Sequence, residues 1–125
     1  MTTQDVAKRL VELCRQGKYE QAITELYSPE IVSVEPEGAP NRIVKGLQAI
    51  AEKSAKFESM IEKVNKSTIS DPIVAENFFS CNMLMNIQFK GAPVATDMDE
   101  ICVYTVNNGK IVKEEFFYTP QPQNA

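Results

Sequence analysis

The stretch FSCNMLMNIQF, residues 79–89, alternates apolar and more polar side chains along its length. Its odd positions hold phenylalanine, cysteine, methionine and isoleucine, whereas its even positions hold serine, asparagine and glutamine, with Leu84 as the exception. A period of two is typical of a β-strand that buries one face. The pattern predicts a long strand, which we extend back to Ile73, and another element must cover its apolar face.

Two further strands are predicted after this stretch. Residues 90–93 contain glycine and proline and indicate a turn, after which residues 94–106 are expected to form a strand. Residues 107–109 read Asn-Asn-Gly, a sequence that tolerates positive φ and predicts a tight hairpin into a last strand over residues 111–118. Residues 119–125 are polar with two prolines, and we expect them to fray.

The first half of the chain is mostly helical by its pattern. Apolar residues recur at helical spacing over residues 5–16, 18–27 and 46–60, which predicts three helices. Residues 30–35 are rich in β-branched side chains and predict a strand, and residues 62–70 form another with weaker alternation. Three helices with one strand between them, followed by an antiparallel run, indicate an α+β fold in which the helices cover the sheet.

Composition and charge exclude several classes of function. The 125 residues fit a single domain, and the net charge of −4 gives no general attraction to nucleic acid or to anionic membranes. No apolar run reaches the ~18 residues of a membrane-spanning helix. Since the N-terminus also lacks the features of a signal peptide, we expect a cytoplasmic protein. Histidine is absent, which removes the commonest general base and most zinc sites. We therefore expect neither a metal nor a cofactor.

The three cysteines, Cys14, Cys81 and Cys102, lie inside apolar runs and show no CxxC spacing. An odd number of cysteines in such surroundings predicts buried, unlinked thiols of low reactivity.

Five short motifs carry a resemblance to a known family. They are GKYE (17–20), LYSPE (26–30), VEP (34–36), KGLQAI (45–50) and VNNGKIV (106–112). In their order and spacing they resemble the NTF2-like superfamily, in particular its SnoaL-like and ketosteroid-isomerase-like branches.

This resemblance implies one domain over residues 1–118, with three N-terminal helices packed on a strongly curved, mostly antiparallel sheet. The sheet would form a cone with a pocket at its wide end, and members commonly form dimers through the outer face of the sheet. The same fold hosts isomerases, cyclases, dehydratases, transport factors and inert scaffolds, so it does not fix the function.

The resemblance also points to candidate catalytic residues. In the isomerase branch the general base is an acid followed by proline on the first strand, and Glu35 has that position. The position of the acid that stabilises the oxyanion falls on Cys102, a weak donor, and that of a donating tyrosine falls near Leu10, which cannot donate. Steroid isomerisation by that mechanism is therefore not expected. Glu100 is two residues from Cys102 on the same strand face and could replace it, and Tyr104 shares that face.

The wall of the expected pocket combines apolar side chains from the third helix and the sheet. Helical spacing places Ile50 and Phe57 on one face and Lys53 among the water-facing residues. An equally open alternative is a closed core filled by methionines. The candidate pocket-lining residues are Ile50, Phe57, Cys81, Met83, Met85, Cys102, Glu114, Phe116 and Tyr118.

Two functions remain open from the sequence. The first is a SnoaL-like pocket protein that acts as an isomerase, cyclase or lyase on a small apolar carbonyl compound, with Glu35 as base and Tyr104 or Glu100 polarising the carbonyl. The second is a non-enzymatic binding or dimerisation module. For both we expect a homodimer through the sheet, because the last strand carries Phe116 on one face and Ile111 and Phe117 on the other.

Overall fold

The computed structural model of the protein describes residues 1–120, which form three α-helices and seven β-strands. The helices are α1 (Thr3–Arg15), α2 (Tyr19–Leu26) and α3 (Leu47–Ser59). The strands are β1 (Tyr27–Val34), β2 (Ile43–Lys45), β3 (Ile61–Ile69), β4 (Ile73–Ala75), β5 (Phe78–Phe89), β6 (Thr96–Asn107) and β7 (Lys110–Phe117). None of the described helices is long and apolar enough to cross a membrane. Of the tail predicted to fray, residues 121–125 lie outside the described part.

The order of the strands confirms the α+β prediction. One sheet has the order β2-β1-β7-β6-β5-β3, with β4 paired to β5. All neighbours are antiparallel except β1 and β7, which are parallel. The helices pack on the concave face of this curved sheet, so that the sheet and helices together form a cone.

Helix α1 supplies most of the cover. Its first turn is closed by a capping box: the Thr2 hydroxyl accepts from the Asp5 N–H at 3.1 Å, and the Asp5 carboxylate accepts from the Thr2 N–H at 3.0 Å. Six of its side chains are buried, whereas α3 buries only Ile50 completely. The third helix therefore lies over the sheet without filling the space beneath it.

The strands differ from the prediction at two places. The long strand expected over residues 73–89 is two strands, because the chain turns at Glu76, which has a φ of 53°, and β4 folds back against β5. The sequence pattern predicts no element for the short strand β2, which pairs with the end of β1. Alternation predicts a face but does not reveal a turn between two short runs of the same period.

A bulge in β7 decides which side chains point inward. Thr105 pairs with Lys113 and Val106 with Ile111, so Val112 is the extra residue. Ile111, predicted to share the outer face with Phe117, is consequently fully buried on the inner face. Glu114 also points inward.

Candidate functional site

An open cavity of about 1100 Å³ lies between α3 and the concave face of the sheet. Its lining includes ten of the residues that the sequence singled out. They are Glu35, Ile50, Phe57, Met83, Met85, Glu100, Tyr104, Glu114, Phe116 and Tyr118. The aligned position Leu10 also lines it and offers no hydrogen-bond donor.

The strand register arranges the inward-facing residues in parallel rows. From the narrow end, the rows across β7, β6 and β5 are Glu114–Tyr104–Phe79, Phe116–Cys102–Cys81, Glu100–Met83 and Met98–Met85. Successive rows are two residues apart, which is about 7 Å along a strand. The cavity is therefore polar at Glu114, polar again at Glu100, and apolar at the methionines.

Cys81 and Cys102 do not line the cavity, so the prediction that they do is wrong. Both are buried directly opposite each other on β5 and β6. Their side chains are short, and the longer Tyr104, Glu100 and Met83 of the adjoining rows form the wall above them. All three cysteines are unlinked and buried, as expected. Burial raises the pKa of Cys14 to about 12, and the Cys81 thiol and then burial raise that of Cys102.

Glu35 follows β1 and enters the cavity from its rim. Its side chain is 13% exposed, and Oε1 lies 2.7 Å from the Lys53 ammonium on α3. The Lys53 nitrogen also lies 5.8 Å from the centre of the Phe116 ring, in cation–π range. The prediction that Lys53 points to water is wrong. Lys53 is three residues from Ile50 and four from Phe57, a spacing that places all three on one face of the helix. This spacing could have predicted that Lys53 faces the cavity.

Glu100 lies on β6, one row from Cys102. Burial, and then the negative charge of Glu35, raise the pKa of the Glu100 carboxyl from its usual 4.5 to about 7. The Cys102 thiol opposes the shift by donating to Glu100 Oε1 over 3.8 Å. Near neutral pH this carboxyl is present in both protonation states, so it can donate or accept a proton.

Glu114 occupies the narrow end, 6% exposed, and its Oε2 accepts a hydrogen bond from the Tyr27 hydroxyl. Burial raises its pKa, against the effects of the Tyr27 and Ser33 hydroxyls. Sequence reasoning placed Tyr27 at the end of a helix and so missed it. The helix instead ends at Leu26 and the chain enters β1 directly, with Pro29 in a stretch where the pairing to β7 is interrupted.

Two tyrosines remain neutral donors beside these carboxyls. Tyr104 is 2% exposed and stacks on Phe79 at 4.7 Å between ring centres. Burial raises its pKa well above the usual 10. Burial, and then the neighbouring Glu35 carboxylate, also raise the pKa of Tyr118. Within residues 1–120 no group of cysteine, aspartate or glutamate side chains is placed to hold a metal ion.

Comparison with known proteins identifies the family. Residues 1–118 match the SnoaL-like domain family. A proposed SnoaL-like polyketide cyclase from Mesorhizobium loti is 30% identical, with a TM-score of 0.88 over 94% of this chain and 100% of that one. A second one, from Jannaschia sp. CCS1, is 14% identical, with a TM-score of 0.72 over 93% of this chain and 85% of that one.

The Jannaschia protein and the next structure are both less than 25% identical and share the fold alone. A ketosteroid-isomerase-like protein from Catenulispora acidiphila, solved with trimethylamine, is 19% identical, with a TM-score of 0.66 over 78% of this chain and 72% of that one. A search among functionally curated proteins finds no match. The chain therefore belongs to the SnoaL-like family and has an NTF2-like fold.

Proposed function

We propose that the protein is an acid–base enzyme that removes a proton next to the carbonyl group of a small apolar compound, using its own side chains. One observation carries the proposal: two carboxyls in contrasting surroundings, Glu35 and Glu100, face the same apolar-walled cavity. Pairs of titratable groups held in different protonation states are a recurrent basis of acid–base catalysis.

Glu35 is assigned the role of base. Its carboxylate accepts the proton from the α-carbon, and the electrons of the broken C–H bond form the C=C bond of an enolate. Lys53, at 2.7 Å, fixes the direction of the carboxylate and stabilises its charged form before the substrate binds. The wall of Met83, Met85 and Phe57 holds an apolar body by hydrophobic contact.

Glu100 is assigned the role of acid. In its neutral form it donates a hydrogen bond to the carbonyl oxygen, on which negative charge develops as the enolate forms. Tyr104, the alternative donor on the same strand face, lies two rows from Glu100, next to Glu114, so this role is assigned to Glu100 alone. Glu35 then returns the proton to a different carbon of a conjugated enolate, which is isomerisation. Alternatively, the α-carbon attacks a second carbonyl of the same molecule, and the oxygen of that carbonyl takes the proton from Glu35, which is cyclisation. The names of the Mesorhizobium and Jannaschia relatives support the latter.

The test follows deuterium exchange at the α-carbons of 2-tetralone, a compact apolar ketone, by NMR. Glu35→Gln is expected to lose roughly 100-fold or more of the catalysed rate, in line with the usual contribution of a general base. Glu37→Gln, an exposed glutamate two residues along the chain, is the matched control and should keep the wild-type rate. Equal rates for all three proteins would refute the proposal.

The pH dependence separates the two roles. With Glu100 as the acid, the rate falls as pH rises through about 7, and the fall is absent in Glu100→Gln. A wild-type rate that rises through pH 7 would instead make Glu100 the base and overturn the assignment.

The alternative is a non-enzymatic binding module. The salt bridge favours it, since the ammonium of Lys53 already occupies one oxygen of the base. For such a module, 2-tetralone would stabilise the protein on binding, yet no variant would change its exchange rate.

A further inference from the structure

The narrow end of the cavity is more deeply buried than the end where the proposed reaction takes place. Glu114, Tyr27 and Tyr104 line the cavity with exposures of 6%, 7% and 2%. At the rim, by contrast, the Lys53 side chain is 34% exposed. A ligand group that reaches Glu114 therefore loses almost all of its contact with water. To bind there, it must form hydrogen bonds that match the polar protein atoms at that end of the cavity.

The polar side chains at the narrow end can form hydrogen bonds in addition to those that they already make. Tyr27 donates to Glu114 Oε2, which leaves Oε1 able to accept, or to donate when protonated. Tyr104 is the direct neighbour of Glu114 on β6, and its hydroxyl can donate and accept. Ser33 is the neighbour on β1, and its fully buried hydroxyl is close enough to Glu114 to lower the pKa of that carboxyl but forms no hydrogen bond of normal geometry among the described residues. Buried polar groups left without partners are costly, so a ligand that supplies one gains affinity.

We propose that Tyr27, Tyr104 and Glu114 form a second subsite, which binds a hydroxyl group at the far end of the ligand. The inference rests on the proposed function, because it places the reacting carbonyl at Glu35 and Glu100. A hydroxyl both donates and accepts, so it satisfies Glu114 in either protonation state, whereas an ether or a carbonyl only accepts. The Glu114 and Glu100 rows are two steps apart, about 13 Å along the strands. The ligand class is therefore a carbonyl compound that carries a hydroxyl group at its far end and is long enough to reach from the Glu100 row to the Glu114 row.

The test compares 2-naphthol with 2-methylnaphthalene, which have nearly the same shape. An apolar cavity without a polar subsite prefers the methyl compound, since it is the more hydrophobic of the two. The subsite predicts the reverse: wild type should bind 2-naphthol about tenfold more tightly at pH 6.5. Carbon-13 labels on the Met83 and Met85 methyl groups report binding in this cavity by NMR, because both line it.

Glu114→Met is expected to abolish the preference for 2-naphthol, since the thioether fills the space without accepting a strong hydrogen bond. Glu100→Gln is the matched control inside the same cavity and should keep the preference. If Glu114→Met does not fold, Tyr27→Phe replaces it and should lower the preference at least threefold, because the carboxyl loses its fixed orientation.

Three results would overturn the subsite. They are equal or tighter binding of 2-methylnaphthalene by wild type, a preference that survives in the Glu114 and Tyr27 variants, and a preference lost in Glu100→Gln alone. The last would place the hydroxyl at Glu100. These binding results are independent of the 2-tetralone exchange, so a preference without exchange would contradict only the enzymatic proposal.

Discussion

Replacing Glu100 by Gln is expected to stabilise the protein at alkaline pH and to leave its stability nearly unchanged at acidic pH. Burial and the charge of Glu35 raise the pKa of this carboxyl from 4.5 to about 7. Its neutral form is therefore favoured in the folded protein. This contribution to stability is complete below pH 4.5 and is lost as the pH rises through 7.

The magnitude follows from the same shift. Raising a pKa from 4.5 to about 7 corresponds to about 3 kcal/mol between the two protonation states. Glutamine imitates the neutral acid and does not ionise. The free energy of unfolding of Glu100→Gln should therefore exceed that of wild type by about 2 to 3 kcal/mol at pH 8.5, and by little at pH 5.

Urea unfolding at both pH values, at one protein concentration, measures this difference. Glu37→Gln is the control, because its exposed side chain should give the wild-type pH dependence. If wild type and Glu100→Gln lose the same stability between pH 5 and 8.5, the reasoning is refuted, because Glu100 would then not be a buried carboxyl.

Two further predictions concern the outer face and the thiols. Ile101 and Phe117 are paired across β6 and β7 and are 48% and 52% exposed on the outer face, so we expect a homodimer through this surface. Light scattering should give twice the 14.0 kDa chain mass at micromolar concentration, and half of that for Phe117→Glu; a wild-type monomer would contradict it. Cys14, Cys81 and Cys102 should react with a thiol reagent only on unfolding, because all three side chains are buried and out of the reagent's reach; rapid labelling of two or more in the folded protein would show otherwise.

The alternation of side chains predicted much of the cavity wall. A period of two placed Met83 and Met85 on one face, and Glu100 and Tyr104 on one face of the neighbouring strand. Residue types and spacing carry this information directly, because a strand turns alternate side chains to opposite sides. The same reasoning would have found Met98, which lies opposite Met85.

Other features depend on tertiary geometry that periodicity does not contain. The bulge at Val112 moves Ile111 to the inner face, and no residue type near Val112 predicts a bulge. Lys53 lies over the cavity because a carboxylate is available within 2.7 Å, and a long aliphatic side chain can be half-buried when its charge is paired. The sequence also does not show how far a side chain lies below the surface of the cavity. Cys102 shares a strand face with Tyr104 but is covered by longer neighbouring side chains.

The most direct test of the central claim is a carboxyl carbon-13 NMR titration of Glu100 in wild type and in Glu35→Gln. If the two carboxyls share one cavity, Glu100 titrates at about 7 in wild type. Its pKa should fall in Glu35→Gln, because a neighbouring negative charge is removed and Lys53 is freed to act on Glu100. A Glu100 carboxyl that titrates at 4.5, or whose pKa is the same in both proteins, would contradict the account.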